Sequence, residues 1–196
     1  MRADLDLVKD WIAPGSRVLD LGCGEGELLN YLVNEKQVRG YGIEIHPENI
    51  LSCIEKGVNV IEKDIDQGLM SIRNNSFDTV VMSHALQTMH RPDLIVDEML
   101  RIGKECIVTF PNFAHWRVRS YLFLRGKMPV SKFLSYTWYN TPNIHFFTFK
   151  DFEELCVERN IHILDRTVVD HEHRHRWWIH LWPNMLGEIA IYRITR

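Results

Sequence analysis

Residues 18–28 read Val-Leu-Asp-Leu-Gly-Cys-Gly-Glu-Gly-Glu-Leu: an apolar run interrupted by Asp20, then glycines at alternate positions, Gly22, Gly24 and Gly26. The stretch predicts a short buried strand that turns through the glycines into a helix. Glycine takes the backbone angles of a tight turn without strain and puts no side chain between backbone and ligand. The N–H groups at the start of the following helix are free to meet an anionic or polar group. This is a nucleotide-sized binding turn at the head of a βα unit.

Working outward, strands and helices alternate. Leu5, Val8 and Ile12 fall at helical spacing and predict a helix over 4–12, stopped by Pro14-Gly15. The helix after the glycine turn carries Leu28, Leu29, Leu32 and Val33. Val38–Ile45 is a predicted strand, and Pro47 suits the first turn of a helix expected to bury Ile50, Leu51 and Ile54. Strands are predicted over Val58–Ile61, Phe77–Met82 and Cys106–Phe110, with a helix over Pro92–Ile102. The pattern pauses over 111–147. It resumes with a helix over Thr148–Arg159, where Thr148 and Asp151 form a capping box, and with strands over Ile161–Val169 and Gly187–Ile194. Apolar strands alternating with helices predict a parallel α/β sheet in one domain, residues 1–196, with an insertion at 111–147.

Bulk properties remove several function classes. In 196 residues, 45% are hydrophobic and 25% charged, and no apolar run approaches the ~20 residues of a membrane span. The polar start MRADLDLVKD does not read as a signal peptide. Cys23, Cys53, Cys106 and Cys156 are far apart and form no CxxC pair, so reduced, buried thiols in a cytoplasmic protein are expected. The net charge of −3 conceals an asymmetry: residues 1–110 hold 11 Lys/Arg and 18 Asp/Glu, residues 111–196 hold 12 and 8. Aromatics number 5 before Pro111 and 16 from there on.

The front half carries the ligand chemistry. In an open parallel sheet a ligand sits beyond the carboxyl ends of the strands. There the second strand delivers Glu44, twenty residues after Gly24, where an acid can accept from both hydroxyls of a ribose. Glu27 stands where the third glycine of a dinucleotide GxGxxG would fall. Asp20 is poorly placed beside a pyrophosphate and well placed to pair with an ammonium. The set favours a cationic nucleoside over NAD.

Residues 20–26, DLGCGEG, and GIEI around Glu44 resemble the class I S-adenosylmethionine (SAM) methyltransferases, a resemblance that covers nearly the whole chain. It implies a Rossmann-like, seven-stranded, mostly parallel sheet ordered 3-2-1-4-5-7-6 with the last strand antiparallel, and SAM or S-adenosylhomocysteine as ligand. It assigns Asp20, Gly22, Cys23, Gly24 and Gly26 to the first motif, Glu44 and Ile45 to the ribose, Asp64 to the adenine amine and Ile65 to the face of that ring. Ser83 and His84 would line the methionine end. Two usual features are missing. The Pro-Gly-Gly turn before the fifth strand is replaced by residues 99–106, MLRIGKEC, and with only about 16 residues before the first strand the usual N-terminal or inserted cap over the methyl group is not expected. His84, His90, His115 and His145 are candidate bases, but no spacing singles one out, so the catalytic residue stays unassigned.

The back half is different in kind. From Cys106 to Lys150 there is no Asp or Glu, while Arg117, Arg119, Arg125, Lys127 and Lys132 alternate with aromatics. Such a mix packs as a folded lobe, meets a protein partner or, less consistently with the acidic front half, binds nucleic acid. No nucleic-acid partner is expected. Residues 171–183, HEHRHRWWIHLWP, alternate three histidines, but no Cys or acid cluster at ligand spacing accompanies them, and no metal site is expected.

The segments PNFAHWRVR (111–119) and WYNTPNIHF (138–146), with residues 2–12 and 83–104, closely resemble the MetW family of methionine-biosynthesis proteins. That resemblance implies a SAM-fold partner of homoserine O-acyltransferase in a hetero-complex, with a homodimer also open. The other reading is a methyltransferase acting on a small metabolite, with Asn112, His115 or Tyr139 near the acceptor.

Overall fold

The computed structural model describes residues 3–131, 134–169 and 181–196. Seven strands form one sheet in the order β3-β2-β1-β4-β5-β7-β6. They are β1 (Arg17–Leu21), β2 (Arg39–Glu44), β3 (Val60–Glu62), β4 (Phe77–Ser83), β5 (Gly103–Pro111), β6 (His162–Val169) and β7 (Ile189–Thr195). β1 to β5 pair in parallel, and β7 runs antiparallel to both β5 and β6. The expected order and the antiparallel last strand are both present.

Alternation along each strand divides the core. Leu19, Leu21, Val80, Met82 and Val108 face α4 (Pro92–Ile102) and α6 (Phe149–Glu158). Val18, Val81, Ile107 and Ile191 belong to the other core, with Leu5, Val8 and Ile12 of α1 (Ala3–Trp11) and Leu28, Leu29 and Leu32 of α2 (Glu27–Lys36). Both faces are covered, as a parallel sheet of Val, Ile and Leu requires. Thr148 and Asp151 form the predicted capping box at the start of α6. Arg159, at the other end of that helix, bonds Asp93 at 2.7 Å and Asp97 at 2.5 Å on α4.

The helix α3 (Pro47–Glu55) departs from expectation. Leu51 and Ile54 are 58% and 61% exposed, and the one buried residue is Cys53. The cause is position: α3 leads into the three-residue edge strand β3, which offers little sheet to cover. The pause over 111–147 also contains an element the apolar periodicity did not show. This is α5 (Trp116–Arg125), which buries only Val118. A last short helix, α7 (Pro183–Leu186), precedes β7. The His-rich stretch 170–180 lies outside the described residues.

Phe110 at the end of β5 ties the sheet to the chain's later elements. It is fully buried, 4.6–6.2 Å in ring centroid distance from Phe147, Phe149, Phe152 and Tyr192. Phe110→Ala should lower unfolding free energy by ~3–5 kcal/mol in chemical denaturation, the usual cost of emptying an aromatic site in a packed core.

Candidate functional site

The carboxyl ends of β1, β2 and β4 meet at one edge of the sheet. Gly22, Gly24 and Gly26 follow β1 with φ of 72°, 55° and 73°, left-handed angles that a side chain would strain. The Gly22 and Cys23 N–H groups both donate to the Ile43 carbonyl, at 2.8 and 3.1 Å, which folds the turn towards β2. β2 can approach so closely because it carries Gly42: a Cβ there would lie 2.4 Å from the Cys23 sulfur.

Glu44 ends β2 and is buried. Its Oε2 accepts from Gly24 N–H at 2.8 Å, and its Oε1 accepts from Ile45 and His46 N–H at 2.8 and 3.0 Å. One carboxylate therefore holds the glycine turn and the β2–α3 junction together. Beyond β3, Asp64 caps a short 3-10 turn, accepting from Asp66 N–H at 3.0 Å and from Gln67 Nε2 at 3.2 Å, with Ile65 buried beside it. Ser83 ends β4, its hydroxyl 2.9 Å from that of Thr109.

Two cavities flank the glycine turn, and Gly22 and Ser83 line both. The larger, about 500 Å³, is lined by Glu44, Ile45, Asp64 and Ile65; the smaller, about 360 Å³, by Asp20, Cys23, Gly24, Glu25 and Glu27. Nine of the ten predicted ligand residues thus gather on one edge. The tenth, Gly26, lines neither cavity; it caps α2, and a Cβ there would lie 2.8 Å from the Cys53 sulfur. Cys23 and Cys53 are free thiols 3.9 Å apart, and burial pushes both above the ordinary thiol range.

The predicted acceptor-side residues do not gather. Asn112 is fully buried and committed: its Nδ2 donates to the Asn184 and Gly187 carbonyls at 3.0 and 2.8 Å, and its Oδ1 accepts from Ala114 N–H at 3.0 Å. His115 is buried with its Nε2 3.8 Å from Glu188. Tyr139 is 72% exposed and off the cavity. Of the histidines proposed as bases, His84 lines the larger cavity, with a left-handed φ of 57° and its N–H bonded to Thr109 O at 2.9 Å. No group of three or more potential metal ligands occurs among the described residues. Nor is any described helix long and apolar enough to cross a membrane.

The far wall of the larger cavity was not anticipated. Phe113, Met128, Leu134, Tyr136, Trp138 and Phe146 line it, all from the segment where the strand–helix pattern pauses. The Gln87 carbonyl fastens this wall by accepting from Ile144 and His145 N–H at 3.0 and 3.1 Å. The segment thus covers the cavity, where no cap was expected. The sequence signal for it was only the absence of acids, which a partner surface explains as well.

This sheet order with this turn and acid defines the class I methyltransferase fold. Solved structures share it at low identity. A SAM-dependent methyltransferase from Thermotoga maritima is 18% identical over 98% of this chain and 87% of its own, with a TM-score of 0.67. One from Archaeoglobus fulgidus is 16% identical over 100% and 92%, TM-score 0.69. The [4+2]-cyclase SpnF is 19% identical over 100% and 81%, TM-score 0.70. The chain belongs to the methionine biosynthesis protein MetW family, whose model matches residues 2–194. The bifunctional methionine biosynthesis protein MetXA/MetW of Rhodopirellula baltica is 30% identical over 205 residues, covering 100% of this chain. The chain spans about a third (33%) of that relative's length.

Asp66 fastens the cavity floor to the turn after β4, accepting from His90 N–H at 2.9 Å and meeting His90 Nδ1 at 2.8 Å. The Asp66 carboxylate raises the His90 pKa above its ordinary 6.5. The link's contribution is therefore full below the unfolded-state pKa and lost as pH rises through the higher folded value. Ring NMR should place the His90 midpoint above 6.5, and Asp66→Asn should lower it.

Proposed function

We propose that the chain binds SAM or S-adenosylhomocysteine across the two cavities and acts, within methionine biosynthesis, as a partner and activator of homoserine O-acyltransferase. The single observation that carries the ligand half is Glu44 bonded to Gly24 at the junction of the two cavities. The residues fit the ligand. Ile65 and Ile45 are apolar surfaces beside Asp64 for an adenine, and Asp20 beside the smaller cavity suits an ammonium. SAM itself supplies an electrophilic methyl group on a sulfonium.

The Glu44 carboxylate offers about four acceptor positions, and three are taken by backbone N–H groups. One ribose hydroxyl can be added as the site stands. Holding both requires one of these N–H groups to yield or to share its oxygen. The partner half rests on family membership and on the R. baltica relative, in which one chain carries both the MetXA and the MetW names. On this reading the MetXA part is the acyltransferase and the MetW part its partner.

The second reading, methyl transfer to a small metabolite, is favoured by one finding: the inserted wall encloses the cavity as a methyl-transfer site needs, with His84 on its lining. Against it stands the removal of Asn112, His115 and Tyr139 from the acceptor side. We extend the single-domain organisation, residues 1–196 with the insertion at 111–147, to this same reading.

In calorimetry, Glu44→Gln should weaken SAM binding by about 10–100-fold, the worth of a hydrogen bond to a charged acceptor. Gly24→Val should abolish it while far-UV circular dichroism stays unchanged. Equal affinity in either variant removes this site. For the partner half, adding the chain to purified acyltransferase should raise that enzyme's rate and co-elute with it. No complex, together with release of S-adenosylhomocysteine in the presence of a defined metabolite, establishes the second reading instead.

A further inference from the structure

The larger cavity runs along the carboxyl edge of the sheet, and its lining follows the strand order. Asp64 stands beyond β3, Glu44 ends β2, Gly22 follows β1, Ser83 ends β4 and Phe113 lies just past β5. Neighbouring strands are about 4.8 Å apart, so this row works as a ruler. With the ribose at Glu44, a sulfur carried one methylene beyond the ribose ring falls over β1 and β4. There Gly22 and Ser83 line both cavities.

Phe113, two residues past β5, is the aromatic residue of the lining that the sheet itself positions next to that point. Its placement is set twice. Its N–H donates to the Phe147 carbonyl at 3.3 Å, and its ring meets that of Phe146, also on the lining, with centroids 4.9 Å apart. An aromatic face is negative and attracts a cation held over it, most strongly where water is excluded. The charges of the lining have the same sign. Among the described residues Asp20, Glu25, Glu27, Glu44 and Asp64 line the two cavities, and Lys63 is the single Lys or Arg there. A cleft lined by one sign of charge draws the more positive of two ligands.

We infer that this edge selects its ligand by charge: it binds SAM in preference to S-adenosylhomocysteine, and Phe113 is the residue that recognises the sulfonium. This rests on the ligand half of the reading above. The two ligands share adenine, ribose and amino-acid groups and differ in one methyl group and the positive charge it leaves on sulfur. The shared groups meet the same partners in either case, so the difference falls to the field of the cleft and to the ring beside the sulfur. When both ligands are present, the site fills with the methyl donor first.

Isothermal titration calorimetry of the whole chain with SAM and with S-adenosylhomocysteine, each alone, tests this. SAM should bind about fivefold or more tighter. Phe113→Leu keeps an apolar side chain and removes the ring, and should bring the two affinities to within about twofold. Phe113→Tyr keeps the ring and should retain the wild-type ratio. Where far-UV circular dichroism shows that Phe113→Leu does not fold, Phe113→Met takes its place. Equal affinities in the wild-type chain, or tighter S-adenosylhomocysteine, overturn the inference alone, as does a ring-free variant with the wild-type ratio. A wild-type chain that binds neither ligand overturns the ligand reading as well.

Discussion

The structure at the ligand edge depends on one carboxylate. Glu44 stands at the end of β2, buried, and its two oxygens hold backbone N–H groups from both sides: Gly24 from the turn after β1, Ile45 and His46 from the start of α3. Parallel strands bring these ends together but do not by themselves order the loops beyond them. The charged acceptor does, since hydrogen bonds to a buried charge are stronger than those between neutral groups. One buried carboxylate thus sets the order of both loops at this edge.

The opposite wall is held differently. The described residues of 128–146 contribute no strand to the sheet; Ile144 and His145 N–H bond the Gln87 carbonyl, and His145 Nε2 lies 3.3 Å from the His90 carbonyl. The site therefore pairs a floor built from a sheet packed on both faces with a wall of half-exposed aromatics.

How far the residues disclosed this in advance followed the physics of each part. The sheet order, the glycine turn, Glu44 and the capping box at Thr148 were legible because each depends on a local rule: period-two burial, positive φ, an acid at a strand end. Leu51 and Ile54 misled because helical periodicity marks an apolar stripe without saying how much sheet lies beneath it. The helix α5 escaped for the converse reason, since with Val118 alone buried it has no stripe to detect. The aromatic wall escaped because its contacts are made across the fold, to β4, β5 and the turns beyond them, and aromatic side chains at a cavity and at an interface have the same composition. Asn112 and His115 lie near the end of β5, but Asn112 bonds the backbone carbonyls before β7 and His115 faces the Glu188 carboxylate instead.

A shared fold does not fix a reaction: SpnF, a [4+2]-cyclase, matches this chain as well as the methyltransferases do. The side chains carry that question, and they divide unevenly. Hydrogen-bond acceptors and glycines are concentrated at the edge of β1, β2 and β4, and His46 and His84 are the histidines that line the larger cavity. A transfer to nitrogen or oxygen needs a group to take the departing proton, most often an imidazole.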